Sequence, residues 1–523
     1  MVGANEISQL PTDATPWYKR SYLLKLNFII FSLCLFSSTV GYDGSVMGSL
    51  TALESWYGFM GEPTGAYLGW INACYFLSNG LALPVGSWMS EKFGRKSPVY
   101  VGYVFLVAGT IMQTTAQTEQ QFTYARILLG VASATYSVSA PVIINEIALP
   151  KHRSIVSALY MCGYYVGGSL CAWATYGTRV IENSWSWRIP VLLQLLCPVL
   201  ALPGFFMTPE SPRWLISKDR VEEARRILAI YHAGGDENDP LVNYQMVEIE
   251  TTIATEKAQQ SSASYMDMFK TPGNRRRLFI SVTLGIFTQW VGNGVVSYYL
   301  PLMLNTVGIT ATSDQTLISA CLNVWNLLFA IAAALCVDKL GRRFLFLASA
   351  SIMLVSFIII TGLSGSFAST LSPSVGTAVI PFIFIFFAGY DIALTPFLSA
   401  YPCEIWQFSL RSKGLSITWI SAFVGLFFNV FVNAIALDAI AWKYYFVFIA
   451  VLITMLFTVY FTYPETRGYT LEQVAVIFDG DQAAAPTANS VLEKVEVLRR
   501  ESIENGDGKH PNIIMEPETE KHV

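Results

Sequence analysis

The chain has 523 residues, 53% of them hydrophobic and only 13% charged, with a formal net charge of -4. Soluble domains carry about 25% charged residues, so a soluble protein is excluded and an integral membrane protein is expected. The small net charge offers no electrostatic basis for a nucleic-acid partner.

Residues 1–23 read as a polar tail without a signal-peptide layout, so the first span is expected to remain in the mature protein. A membrane span needs roughly 20 predominantly apolar residues. Twelve such stretches follow, at about 24–48, 66–90, 97–116, 121–144, 154–177, 189–208, 279–305, 314–337, 344–364, 374–402, 414–436 and 444–463. The predicted fold is therefore an all-α membrane protein. It has an N-terminal six-helix bundle (24–208), a loop with short helices (209–278), a C-terminal six-helix bundle (279–463) and a tail (464–523). Small-residue spacing such as Gly163-x-x-x-Gly167 suits close helix contact.

Charge sets the orientation. Lys92, Arg95 and Lys96, Lys151 and Arg153, Lys339, Arg342 and Arg343, and Arg411 and Lys413 all fall in loops on one side. The loops at 49–65, 306–313 and 365–373 contain no Lys or Arg. The positive-inside rule places the basic side, both termini and the 209–278 loop in the cytosol, and the plasma membrane is the expected location. That loop closes on Asn274-Arg275-Arg276-Arg277, a basic run expected to rest on anionic lipid. The tail after Asp479 is polar, with a short helix expected over 491–500.

An internal repeat divides the chain. Glu91-Lys92-Phe93-Gly94-Arg95-Lys96 after the second span returns as Asp338-Lys339-Leu340-Gly341-Arg342-Arg343 after the eighth. Glu146 precedes Arg153 by seven residues, as Glu404 precedes Arg411. Pro209-Glu210-Ser211 after the sixth span returns as Pro464-Glu465-Thr466 after the twelfth. All three pairs lie about 250 residues apart, in register, so two six-helix halves share one plan. Glycine permits the tight turns. The charged residues can clamp neighbouring helix ends: Glu91, Arg95, Glu146, Arg153, Glu210 and Arg213 in the first half, and Asp338, Arg342, Glu404, Arg411 and Glu465 in the second. Gating between rocking halves and fixing of topology are both open to them.

Intramembrane charge is scarce. The four histidines, His152, His232, His510 and His522, fall in polar segments, so proton chemistry in the bilayer falls to carboxylates. Gly41-Tyr42-Asp43-Gly44 places an acid in the first span, where a carboxylate at the bilayer centre would cost about 2.5–3.5 kcal/mol. Counted from Leu24, Asp43 lies about 28 Å along its helix, near the outer boundary, where water or a cap would also satisfy it. Arg126, about six residues into the fourth span, is at matching depth and can pair with Asp43 if the two helices face each other. Asp391 is an extra acid, read toward the cytosolic half of the tenth span, with titrating, substrate-accepting and structural roles all open. The eight cysteines show no disulfide or metal spacing. No nucleophile–base set, phosphate loop or metal cluster appears, so no enzyme activity, cofactor or metal is expected.

These motifs together resemble the sugar-porter family of the major facilitator superfamily, over about 24–475. The likeness rests on Gly41-Tyr42-Asp43, the paired Gly-Arg-Lys and Gly-Arg-Arg turns, Pro-Glu-Ser-Pro-Arg at 209–213 and Pro-Glu-Thr-Arg-Gly at 464–468. The stretch Gln289-Trp290-Val291-Gly292-Asn293-Gly294-Val295-Val296-Ser297-Tyr298-Tyr299 and Tyr390-Asp391-Ile392-Ala393 are most similar to the fungal lactose-permease group. The resemblance implies two pseudo-symmetric bundles, a central site, alternating access, and Asp43 with Arg126 as the proton-coupling pair. It implies sugar contacts at Gln289 and Asn293. Tyr298, Tyr299, Asn323, Trp325, Asn326, Asp391 and Asn429 are further candidates, since neutral hydrogen-bonding groups and aromatic faces suit a polyhydroxylated ligand.

The chain also departs from the family pattern. Thr288 stands where relatives often have glutamine, and Met161 and Gly168 stand where hexose carriers often place glutamines. The expected asparagine is displaced from 294 to 293, and Ser399 replaces a tryptophan. The expected function is a monomeric, proton-coupled importer of a disaccharide or other glycoside. The alternatives are the same fold carrying a polyol, a quinate-like acid or a secondary metabolite, or a non-transporting nutrient sensor.

Overall fold

The computed structural model describes residues 17–260, 264–467 and 471–479. The N-terminal half is built from α1 (Ser21–Leu50), α2 (Gly65–Phe93), α3 (Ser97–Thr114), α4 (Glu119–Ile147), α5 (Arg153–Thr178) and α6 (Trp185–Met207, with a 3-10 turn at Leu193–Leu195). The C-terminal half has α7 (Pro272–Trp290, continued by Asn293–Tyr298 and Leu300–Asn305), α8 (Thr312–Leu340) and α9 (Arg342–Thr370). It is completed by α10 (Val379–Ile405), α11 (Phe408–Ile440) and α12 (Tyr445–Thr462). Nine stretches among the described residues are long and apolar enough to cross a membrane, one of them spanning α11 and α12 together. Hydropathy alone passes over α2, which carries Asn72, Asn79 and Pro84, and α3.

The two halves repeat one packing scheme. α1 lies on α5 as α7 lies on α11, α2 on α4 as α8 on α10, and α3 on α4 as α9 on α10. The α1–α5 seam is close because small residues line it: a Cβ on Gly41 would stand 2.6 Å from the Tyr164 carbonyl carbon, and one on Gly167 2.7 Å from that of Ser38. Such close approach supplies the dispersion contacts that hold helices together in lipid, where no hydrophobic force separates helix from solvent. Between halves, α2 packs on α11 and α5 on α8.

Inter-bundle contacts gather at the end opposite the basic turns. A Cβ on Gly48 of α1 would meet the Ser297 carbonyl oxygen at 2.5 Å, and one on Gly69 of α2 the Phe431 oxygen at 2.6 Å. The Phe76 ring meets the edge of Tyr298 at 5.1 Å between centroids.

Several expectations are corrected. α7 starts at Pro272, seven residues before 279, and breaks at Val291–Gly292, where Gly292 takes φ 106°. α11 starts at Phe408, so Arg411 and Lys413 lie on a helix and not in a loop. α10 starts at Val379 after a separate turn at Pro373–Thr377, which puts Asp391 at the middle of the helix and not in its cytosolic half. The basic run is no lipid anchor at Arg277, which is fully buried. Its guanidinium donates to the Ile405 carbonyl at 2.8 Å, to Asn274 at 2.9 Å and to both oxygens of Asp479 at 3.0 and 2.7 Å. Asp479 ends a short helix, Leu471–Asp479, that docks on α7. The helix expected over 491–500 lies outside the described residues.

The segment between halves forms Pro212–Ser217, Val221–His232 and Pro240–Gln260, which share a small apolar core of Leu215, Leu228, Val242 and Met246. His232 ties it to the first bundle, with Nε2 3.0 Å from the Ile147 carbonyl and Nδ1 2.7 Å from Gln245. Burial holds this imidazole below its ordinary range.

Candidate functional site

Asp43 and Arg126 meet. Both are fully buried, on α1 and α4, and Arg126 Nη1 donates to the main-chain carbonyl of Asp43 at 3.2 Å. The guanidinium also stacks over the Tyr75 ring at 4.5 Å, a cation–π contact that holds it in place from α2. Neither Asp43 carboxylate oxygen has a hydrogen-bond partner among the described residues, and neither do Arg126 Nε and Nη2. The acid and the base are thus buried side by side without a direct bond between their side chains among the described contacts. In such a setting a small movement changes the interaction strongly.

In the C-terminal bundle, Asn293 opens the second segment of α7, just after the Gly292 break. It donates to the Tyr390 hydroxyl at 3.2 Å, and Tyr390 donates to the Thr288 carbonyl at 2.8 Å. Asp391, fully buried on α10, accepts from Tyr165 of α5 at 2.6 Å and from Thr395 at 2.9 Å. Asn293 Oδ1, Asn326 Oδ1 and Asp391 Oδ2 are buried acceptors with no partner among the described residues. Buried acceptors are normally satisfied, so each of these three has capacity left for a further hydrogen-bond donor.

The remaining candidates divide. Asn323 of α8 faces the first bundle, its Oδ1 2.6 Å from where a Gly168 Cβ would stand, and Tyr298 packs against α2. Gln289 is half-buried beside Gly425 of α11. Tyr299 donates to the Val430 carbonyl at 2.7 Å, Trp325 to the Phe384 carbonyl at 2.9 Å, and Asn429 accepts from Asn433 at 2.8 Å. These last three bonds lie within the C-terminal bundle. Sequence reasoning missed Tyr75, Tyr165 and Thr395. The signal for Tyr165 was a phenol in a span rich in small residues, which must find a polar partner when buried.

The repeated basic turns form two matching clamps. Glu210 accepts from the Arg95 main-chain amide at 2.8 Å, while the Arg95 guanidinium grips Glu146 at 3.2 Å through two bonds. In the second half, Glu465 accepts from the amides of Arg342 at 2.8 Å and Arg343 at 3.0 Å, and the Arg342 guanidinium grips Glu404 at 3.0–3.2 Å. Burial alone would raise the Glu465 carboxyl, but the amides of Arg467, Arg342, Arg343 and Thr466 hold it below the usual range. Each of these clamps joins helix ends within one bundle. The Glu91 side chain is exposed and its carbonyl accepts from Trp214 at 2.9 Å. Arg153 stands near Arg213, Glu146 and Glu248, and Arg411 near Cys403. The Asp338 side chain lies outside the described residues.

Gly94 and Gly341 sit at φ 104° and 83° because the clamp carboxylate occupies the place of a side chain: a Cβ would lie 2.6 Å from Glu210 and 2.9 Å from Glu465. Gly94→Ala is expected to cost about 1–3 kcal/mol through backbone strain and displacement of Glu210. Thermal melting of the purified protein reads this, and an unchanged midpoint would contradict the role given to the turn.

Two repeated six-helix bundles make up the major facilitator fold. The chain belongs to the sugar (and other) transporter family, whose profile matches residues 29–478. It is 28% identical to the MFS-type transporter oryC of Aspergillus oryzae, over 86% of this chain and 85% of that one. It is 26% identical to a high-affinity glucose transporter of Kluyveromyces lactis, over 92% of this chain and 90% of that one. Among solved structures, the inward-open xylose transporter XylE of E. coli superposes with a TM-score of 0.71 at 21% identity, covering 87% of this chain and 100% of that one.

Proposed function

We propose that the protein is a proton-coupled symporter that imports a sugar, a disaccharide or other glycoside, by alternating access across the plasma membrane. The observation that carries this reading is the Asp43 carboxylate, buried next to Arg126 yet hydrogen-bonded to no protein group among those described. A carboxylate held this way can gain and lose a proton as its distance from the guanidinium changes. The bundles close at the end opposite the basic turns, so the cargo path opens toward the basic face, which the charge rule assigns to the cytosol. The paired clamps stiffen each half so that it can rock as one body. A glucose transporter among the relatives and a proton:xylose symporter among the structural neighbours support sugar as cargo.

The test is uptake of a labelled panel of hexoses, disaccharides and polyols by proteoliposomes under a pH gradient, with and without a protonophore. Protonophore-sensitive accumulation of a glycoside is expected; accumulation that ignores the protonophore would refute proton coupling. The second reading, a secondary metabolite as cargo, draws on the MFS-type transporter relatives, whose names specify no sugar. An acidic cargo is disfavoured because the Asp391 carboxyl, whose Oδ2 has no partner among the described residues, would repel it.

Pocket size bears on the cargo. Ser399 is half-buried on α10, and replacing the tryptophan that the family resemblance expects there with serine shortens the side chain at that position. Ser399→Trp is expected to cut disaccharide uptake at least about tenfold and hexose uptake about threefold or less, since overpacking a site costs on the order of 1–3 kcal/mol. Equal losses on both substrates would argue against an enlarged pocket.

A further inference from the structure

We propose that Tyr165 is a substrate-sensing strap, whose cross-bundle hydrogen bond to Asp391 restrains the empty carrier and is replaced by a cargo hydroxyl when the site fills. The proposal rests on the transporter reading above and goes beyond it, because it concerns the return of the unloaded protein.

The geometry is specific. α5 belongs to the first bundle and packs across the interface on α8, yet the Tyr165 hydroxyl donates to Asp391 Oδ1 on α10 at 2.6 Å. Thr395, one turn along α10, donates to the same oxygen at 2.9 Å and lies 3.2 Å from the Tyr165 hydroxyl. Asp391 is fully buried and its other oxygen has no partner among the described residues, so Tyr165 is the donor it receives from the opposite bundle. A phenol donating to a carboxyl in a low-dielectric interior is among the stronger hydrogen bonds a protein makes, and losing the donor leaves a buried acceptor unsatisfied. Moving the bundles apart breaks this bond. A sugar hydroxyl has the same donor chemistry as the phenol, so a bound sugar can take over Asp391 as Tyr165 leaves. The loaded protein then escapes a penalty that the empty protein meets in full, which favours movement with cargo over movement without it.

The readout is the ratio of exchange to net uptake. In exchange the carrier leaves the state open to the basic face loaded, whereas in net uptake it must leave that state empty, with the strap in place. In right-side-out proteoliposomes with radiolabelled lactose, and in parallel radiolabelled glucose, the unaltered protein is expected to exchange about tenfold faster than it takes sugar up into sugar-free vesicles. Tyr165→Phe removes the donor and keeps the ring. It is expected to bring the ratio to within about twofold of one, by speeding net uptake with exchange retained. A Tyr165→Phe protein with normal exchange and an unchanged ratio would overturn the strap while leaving the transporter reading intact. If Tyr165→Phe does not reach the membrane, Asp391→Asn weakens the same bond through an uncharged acceptor: a ratio lowered by faster net uptake supports the strap, and net uptake no faster than in the unaltered protein overturns it. Absence of exchange of either sugar by the unaltered protein would remove the sugar-carrier reading, and the strap with it.

Discussion

Asp43→Asn is expected to abolish pH-gradient-driven accumulation while leaving counterflow exchange measurable. One proton falling through 100 mV releases about 2.3 kcal/mol, enough at about 1.4 kcal/mol per decade for roughly fifty-fold accumulation of a neutral solute. The variant should therefore fall from a ratio of that order to about one. The structure explains why the rest of the site should survive. Arg126 bonds the main-chain carbonyl of Asp43 and stacks on Tyr75, and neither contact uses the carboxylate. Asparagine has nearly the same shape and cannot exchange a proton, so chemistry is removed and scaffold is kept. Arg126 loses its nearby countercharge, which lowers stability without unseating the guanidinium. Parallel measurement of accumulation and exchange decides the matter: normal accumulation by the variant would refute the coupling role, and loss of both would make Asp43 structural.

The second large effect is expected at the basic face. Asp479→Asn leaves the Arg277 guanidinium buried without a countercharge, between the Ile405 carbonyl, Asn274 and the Phe478 ring. Breaking a buried pair from one side typically costs about 3–5 kcal/mol, whereas replacing both partners by apolar groups of similar size is often neutral. Asp479→Asn should thus lower the thermal midpoint of the detergent-purified protein by several degrees, and Arg277→Met with Asp479→Leu should restore most of it. Because Gln407 also donates to Asp479 at 2.9 Å, the single variant is expected to loosen the α10–α11 corner as well. A midpoint unchanged in Asp479→Asn would show that the terminal helix is not held by this pair.

Much of the fold was legible before any coordinates. Hydropathy finds spans because the bilayer demands a fixed apolar length, and the repeat was visible because the same turn and clamp residues serve both halves. The repeat marked Arg95, Glu146, Arg342 and Glu404 as matching charges; that Arg95 pairs with Glu146, and Arg342 with Glu404, came from the packing of the helices. Boundaries were less legible. The α7 break depends on Gly292 adopting a left-handed conformation against Phe357 and Phe448, and nothing local distinguishes that glycine from others in the spans.

By itself, then, the sequence determined the twelve apolar spans, the two-fold plan and the matching depth of Asp43 and Arg126, because these depend on composition and on distance along a helix. Only the tertiary structure decided which atoms meet: that Arg126 reaches a carbonyl and not the carboxylate, that Arg277 is buried against Asp479, and that Asp391 takes its donor from Tyr165. The physical reason is reach. Tyr165 and Asp391 are 226 residues apart in the chain, and Arg277 and Asp479 are 202. Such contacts are set by how helices pack around one another, which no periodicity within a single helix encodes.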